Sequence, residues 1–413
     1  MPKSPVQINS DEVADFLKQL SEIGATKKNG MSRLAYSPEW VGAMDLCSDW
    51  AKKAGLEVRT DAVGNLWARL KGLDDTSSIV TGSHIDSQHN GGCFDGALGA
   101  IGGILALKAI RNQFGVPKKT LEAVVLCEEE ASRFPSAGFW GSRAIVGKIS
   151  KNDLETVKTF DGEPISDIMR EINLNPDDIP KAKRNDIDVF IELHIEQGPI
   201  LEDAGIPVAI VNAITGVAHF EITLSGSQNH AGAFPMDLRR DPMAGFAEIT
   251  TKLIDHAHRL GRPAVTTVGR CQVDPGGPAV IPSKVTFSID ARHPNVALRK
   301  ELYKVHRNII KEVATRRNLK YSIKKMIDLE PCQSDPELVS TLKLAAKSQG
   351  IDALIMPSGA GHDTQQMSKI SRTAMVFVRS KDGRSHTPEE YSSLSDCTAG
   401  IRVLAEALKT LAY

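Results

Sequence analysis

Four short apolar runs stand out along the chain, and each breaks off into a segment rich in histidine or carboxylate. Ile79-Val80-Thr81 leads into GSHIDSQHNGGCFDG, residues 82–96, and residues 121–127 end at Glu128-Glu129-Glu130. Residues 189–193, apolar apart from Glu192, end at His194 with Glu196 and Gln197 close behind. Residues 374–378 are apolar, and the loop after them carries His386. Short, β-branched apolar runs of this kind predict strands buried on both faces of an α/β sheet. Loops leaving the carboxyl ends of such strands are where open α/β sheets place their ligands.

The pattern changes in the middle of the chain. Within 216–224, Phe220 and Ile222 alternate with polar neighbours, as a half-buried strand requires. Residues 243–260 place Phe246, Ala247, Leu253 and Ile254 at helical spacing, after Asp241-Pro242, a good N-cap and first helical position. Two strand-like runs follow, 264–273 and 285–291, separated by the breaker cluster DPGGP. Pro294-Asn295 then opens a second amphipathic helix, 296 to about 317, and 321–327 reads as a last strand. The order β-α-β-β-α-β is the split βαβ of a ferredoxin-like α+β unit. It separates the third from the fourth of the apolar runs. The expectation is therefore a discontinuous α/β domain, residues 1–212 and 330–413, with a mixed sheet flanked by helices, and an inserted domain at 213–329. Glycines 96, 99, 102 and 103 do not fit the GxGxxG dinucleotide pattern and are read instead as letting a helix pack closely on the sheet.

Bulk properties narrow the function classes. The 413 residues leave room for two domains, and 50 Lys and Arg against 51 Asp and Glu give a net charge of −1. That balance argues against a nucleic-acid or polybasic membrane surface. No apolar run approaches the roughly 20 residues that span a bilayer. The beginning, MPKSPVQINS, is polar and lacks the apolar stretch of a signal peptide, so a cytoplasmic location is expected. The six cysteines are scattered without a CxxC pair, which suits reduced thiols, and Cys93 is read as a bystander.

The chemistry lies at the four strand ends. Three adjacent carboxylates abutting a hydrophobic strand repel one another and resist burial, so a cation should compensate them. Imidazoles and carboxylates gathered on neighbouring loops suit a borderline divalent cation such as zinc. A metal site follows from the residues alone.

Several stretches then carry a resemblance to a known family. SRLAYSPEW (32–40), DAVGNLWARL (61–70), CEEEASRF (127–134), HIEQGPILE (194–202), NHAGAFPMDLRRDP (229–242), DARHP (290–294), SGAGHDTQQM (358–367) and GRSHTPEE (383–390) join residues 82–96 in resembling the M20-type metal-dependent amidohydrolases. Within them, HIEQGP and SGAGHD point to the branch of N-carbamoyl-L-amino-acid hydrolases, β-ureidopropionases and allantoate amidohydrolases. The resemblance implies two divalent ions per subunit, zinc or manganese, with cobalt or nickel also suited to these donors. His84 and His194 would hold one, Glu130 and His386 the other, and Asp95 would bridge them. Asp86 would orient His84, and Glu129 would be the general base. In the inserted lid and dimerisation domain, His230 would donate to the oxyanion from the partner subunit of a homodimer. Arg292 would bind the substrate carboxylate, with Gln197, His362 and the backbone of Gly359 as further contacts. Domain closure would bring His230 and Arg292 onto the substrate.

One position departs from the family pattern. PGGPAVIPS (275–283) places Ala279 where relatives carry an asparagine that helps hold the substrate carboxylate. The expected enzyme is thus a hydrolase of linear C–N bonds other than peptide bonds. It would act on an N-carbamoyl amino acid, a β-ureido acid or allantoate; an N-acyl amino-acid hydrolase is the alternative that Ala279 favours. A binding module that has kept only the fold would have lost the base, yet Glu129 is present.

Overall fold

A computed structural model describes residues 4–413. They divide into two compact units. The first runs to Asn212 and resumes over Ser334–Met356 and His362–Tyr413; the second comprises Ala213–Gln333 and Pro357–Gly361. The short segment around Gly359 thus clusters with the second unit, although sequence pattern grouped it with the first.

In chain order the first unit contributes β1 (Glu57–Thr60), β2 (Leu66–Leu70), β3 (Asp74–His84), β4 (Lys119–Leu126), β5 (Ile187–Ile195) and β6 (Val208–Ile214). The second follows with β7 (Gly216–Ser225), β8 (Asn229–His230), β9 (Val265–Thr267), β10 (Cys271–Asp274), β11 (Val280–Ile281), β12 (Lys284–His293), β13 (Lys320–Leu329) and β14 (Cys332–Gln333). β15 (Ala353–Ser358) and β16 (Arg372–Val378) complete the set.

The main sheet of the first unit runs β1-β2-β4-β3-β5-β16-β6. Its centre is parallel, β4 with β3, β3 with β5 and β5 with β16, while β1, β2 and β6 pair antiparallel. The central strands are buried over their apolar runs, with the first residues of β3 and of β16 reaching solvent. Helix Ala97–Phe114 lies on this sheet and is buried on most of its circumference. Gly99 makes the approach possible: a Cβ there would lie 2.0 Å from the carbonyl oxygen of Leu193. Helix Leu394–Ala412 packs beside it, and the two bury one large core with the sheet.

The second unit is the ferredoxin-like fold that the sequence pattern predicts. Its sheet runs β10-β12-β7-β13, with β9 also on β12, and the β12 pairings and the β7–β13 pair are antiparallel. Along β12 buried and part-exposed residues alternate strictly, because helices cover only one face. Those helices are Pro242–Leu260 and Val296–Arg316, which pack with the sheet around Phe220, Ile222, Phe287, Leu253 and Ile310. Each starts at a side-chain cap: Asp241 accepts from the N–H groups of Met243 and Ala244, Asn295 from those of Ala297 and Leu298. The run 264–273, expected as one strand, is broken between Thr267 and Cys271. There Arg270 and Ser288 form a local exchange: Arg270 N–H donates to Ser288 Oγ, and Ser288 N–H to the Arg270 carbonyl.

No helix among the described residues is long and apolar enough to cross a membrane. All six cysteines are unpaired.

Candidate metal centre

Because β3, β4, β5 and β16 are parallel neighbours in the sheet, their carboxyl ends lie along one edge. The register sets His84 opposite Leu126 and His194 opposite Phe377. Glu128-Glu129-Glu130 follow β4 immediately, and the loop after β16 brings His386. Asp95 arrives on the glycine-rich loop after β3. Gly96, at φ +62°, turns the chain there against the His84 ring, which a Cβ would meet at 2.3 Å.

Two triads that share one residue result, beside a third group of Glu192, His194 and His362. The ligating atoms of His84, Asp95 and His194 lie within 4.8 Å of one another, and so do those of Asp95, Glu130 and His386. Asp95 Oδ1 is 3.1 Å from His194 Nε2 and 3.5 Å from His84 Nε2. Its other oxygen, Oδ2, is 3.3 Å from His386 Nε2, which is 3.3 Å from Glu130 Oε2.

The hydrogen-bond pattern tests whether a cation fits. His84 Nδ1 lies 3.0 Å from the carbonyl oxygen of Asp86, and His194 Nδ1 lies 2.9 Å from that of Ile195. Carbonyls only accept, so both rings carry hydrogen on Nδ1 and turn Nε2 toward Asp95. Asp95 Oδ1 is buried and has no hydrogen-bond partner. A buried acceptor facing two imidazole nitrogens is a place that a cation between them would satisfy. Three imidazoles and two carboxylates in two triads suit a pair of borderline divalent ions.

The electrostatics agree. Burial pushes the Glu129 carboxyl well above its usual range, and neighbouring Glu130, Asp363 and Asp86 add to that against the pull of His84. Burial, with Asp95 nearby, raises Glu130 to about 7, and burial beside Glu192 raises Asp363 to about 8. Burial opposes the charge of Asp95 as well, but His194, His386 and His84 together hold it well below the ordinary range. His386, bonded to Asp95, rises to about 9. Asp86, Asp95, Glu128, Glu129, Glu130 and Asp363 thus outnumber the three imidazoles even if every ring is protonated.

Asp86 does steady His84, but through its main-chain carbonyl. Its carboxylate stands 3.8 Å from the ring and accepts instead from the N–H groups of Glu129, at 3.2 Å, and Glu130, at 3.1 Å. It therefore shapes the turn that separates the two glutamates. Glu129 projects its carboxylate to 3.9 Å from His84 Nε2. Glu128 turns away, buried, and accepts from the N–H of Phe134. Gln197 sends its amide to Asp95 Oδ2 at 2.7 Å. His362 is buried with its ring 4.6 Å from that of His194. His230, Arg292 and Gly359 belong to the second unit. His230 is exposed, and its Nδ1 accepts from the N–H groups of Gly232 and Ala233. Arg292 donates through Nε and Nη2 to Asp290 and through Nη1 to the carbonyl of Gly359.

Two residues of the centre escaped the sequence reading. Ser385 Oγ lies 2.6 Å from Asp95 Oδ2 and 2.8 Å from Glu390 Oε2. The acid in SHTPEE was visible, but no spacing rule says that it folds back onto residues 94 and 95.

The comparisons with known proteins point one way. The family model described as Peptidase family M20/M25/M40 matches residues 80–410. The chain is 37% identical over 402 residues to the allantoate amidohydrolase of Escherichia coli (strain K12), covering 97% of this chain and 98% of that protein. It is also 37% identical over 408 residues to the N-carbamoyl-L-amino acid amidohydrolase of Geobacillus stearothermophilus, covering 98% and 99%. Among solved structures, an amidase of the hydantoinase/carbamoylase family from Burkholderia multivorans superposes with a TM-score of 0.91 at 32% identity, over 98% of each chain.

Proposed function

This chain belongs to peptidase family M20/M25/M40, and from that membership we propose that it hydrolyses a linear, non-peptide C–N bond of the ureido or amide kind. An N-carbamoyl-L-amino acid or allantoate, as in the names of its relatives, or a β-ureido acid is the substrate in this reading. The observation that carries the reading is the pair of triads sharing Asp95, with Glu129 beside the ligand Glu130.

Divalent ions held there would supply Lewis acidity at a carbonyl oxygen and bring the pKa of bound water toward neutrality. The residues supply the rest. His84 and His194 would hold one ion, Glu130 and His386 the other, and Asp95 would offer one oxygen to each triad. Glu129 leaves the backbone in a different direction from Glu130, free to take a proton from water and return it to the departing nitrogen. Accepting two N–H groups at Nδ1 leaves His230 with hydrogen on Nε2, the donor an oxyanion needs. Arg292 uses three of its five N–H donors on Asp290 and Gly359, which leaves two for a substrate carboxylate. Gln197 and His362 are further substrate contacts in this reading, Gln197 through the part of its amide not committed to Asp95.

The metal pair is proposed as zinc or manganese, with cobalt and nickel admissible on the same donors. A homodimer formed through the second unit and a cytoplasmic location complete the proposal; six unpaired cysteines fit the latter. A second reading is an N-acyl amino-acid hydrolase using the same centre; Ala279, whose methyl group offers no donor to a carboxylate, departs from the pattern of the first. One assay separates them. Metal-loaded protein is given carbamoyl, formyl and acetyl amino acids and allantoate, and ammonia and amine are measured. Release of ammonia from the ureido substrates alone supports the first reading; turnover of acetyl amino acids alone supports the second.

A further inference from the structure

The loop that carries His386 is held from behind by a carboxylate with no part in the chemistry above. Glu390 is 4% exposed, and its oxygens divide between segments far apart in the chain. Oε1 accepts from the N–H of Phe94 at 2.8 Å and from that of Asp95 at 3.0 Å. Oε2 lies 2.8 Å from Ser385 Oγ, and that hydroxyl is also 2.6 Å from Asp95 Oδ2. Gly92 makes room for the arrangement, since a Cβ there would lie 2.1 Å from Glu390 Cδ. Between Ser385 and Glu390, His386 holds φ at +59°, a conformation that a non-glycine residue keeps only where its surroundings impose it.

We propose that Glu390 is a positioning residue for the metal centre. Through Ser385 and the main chain of residues 94–95, it sets the separation of Asp95 Oδ2 from His386 Nε2. It thereby sets the affinity of the Asp95–Glu130–His386 triad for its ion. The inference rests on the dinuclear reading above. Asp95 Oδ2 is the oxygen turned toward His386, so loosening it acts on that triad more than on His84 and His194, which project from strand ends. Residues that orient metal ligands commonly change metal affinity by about 10–100-fold when removed.

The test is a titration of the metal-free full-length protein with Co²⁺, read by visible absorption and calorimetry. Wild type, Glu390→Ala, Glu390→Gln and Ser385→Ala are compared, with thermal unfolding of each metal-free form alongside. Wild type is expected to bind two cobalt ions. Glu390→Ala and Ser385→Ala should lose about tenfold or more in affinity for one ion, with an altered absorption band, while the other ion binds as before. Glu390→Gln keeps an acceptor for both N–H groups and should recover most of the loss. Ser385→Ala preserves the main-chain clamp, so it decides the matter even if Glu390→Ala does not fold. Two ions bound normally by the alanine variants, with only a lower metal-free melting temperature, would make Glu390 a loop anchor and overturn the inference alone. Fewer than two ions on wild type would overturn the dinuclear reading and this inference with it.

Discussion

The two units neutralise their acids in opposite ways. In the second unit, the chain brings its own cations. Burial works against the charge of Glu248, yet Arg316 and Arg317 hold it at about 2, and Arg292 with His219 likewise keeps Asp290 below its usual range against burial. In the first unit, Glu128, Glu129 and Glu130, which follow β4, and Asp363, after β15, are pushed upward by burial. Among the described residues no arginine or lysine forms an ion pair with any of those four, whereas Glu122 on the same sheet has Arg184 at 2.8 Å. The difference separates acids paired with the chain's own arginines from a buried group, Glu130 of the second triad and Glu129 beside it among them, that no arginine or lysine neutralises. A carboxylate cluster that the chain itself leaves uncompensated marks the place where an external cation belongs.

Glu129→Gln should lower kcat by about 10²–10⁴ while metal content stays at two ions. Loss of metal together with activity would make Glu129 a ligand rather than a base. Arg292→Ala in the second unit should raise KM strongly with metal content unchanged; a fall in kcat with KM constant would remove its assigned role in binding substrate.

Metal removal and pH sharpen the contrast between the units. Asp363, with its pKa raised to about 8, favours the folded metal-free state only while protonated. That contribution is complete below its unfolded pKa of about 4 and is lost as pH rises through about 8. Metal-free protein should therefore melt lower at pH 8 than at pH 5, and Asp363→Asn should flatten that slope. Glu248 has the opposite sign. Its depressed pKa stabilises above about 4.5, and the benefit disappears as pH falls toward about 2, so Glu248→Gln should matter at pH 6 and not at pH 2. The smallest effect is expected at a helix cap. Asn295→Ala should cost about 1 kcal/mol in chemical denaturation and leave metal affinity unchanged.

Much of this was legible in the chain because each candidate ligand stands at the end of an apolar run or on the loop that follows one. Parallel pairing then converts four separate strand ends into one edge. The ferredoxin-like order of the second unit was legible for a similar reason, period-two strands alternating with capped helices. What escaped is what depends on backbone direction and long-range return. Asp86 serves through its carbonyl, and no residue identity reveals which group of an aspartate faces a ring. Glu390 reaches back 295 residues to Asp95, a contact no local pattern encodes. The break between β9 and β10 comes from the Arg270–Ser288 exchange, a side chain competing for ladder hydrogen bonds. The Asp290–Arg292 pair, by contrast, could have been read, since residues two apart on a strand share a face.

The central claim is that one aspartate joins two ions. Metal content of purified, metal-replete protein, counted by elemental mass spectrometry for wild type and for His84→Ala, His386→Ala and Asp95→Ala, tests it most directly. The account predicts two ions per chain in wild type, one in each histidine variant and none in Asp95→Ala. One ion in wild type, or two retained by Asp95→Ala, would contradict it.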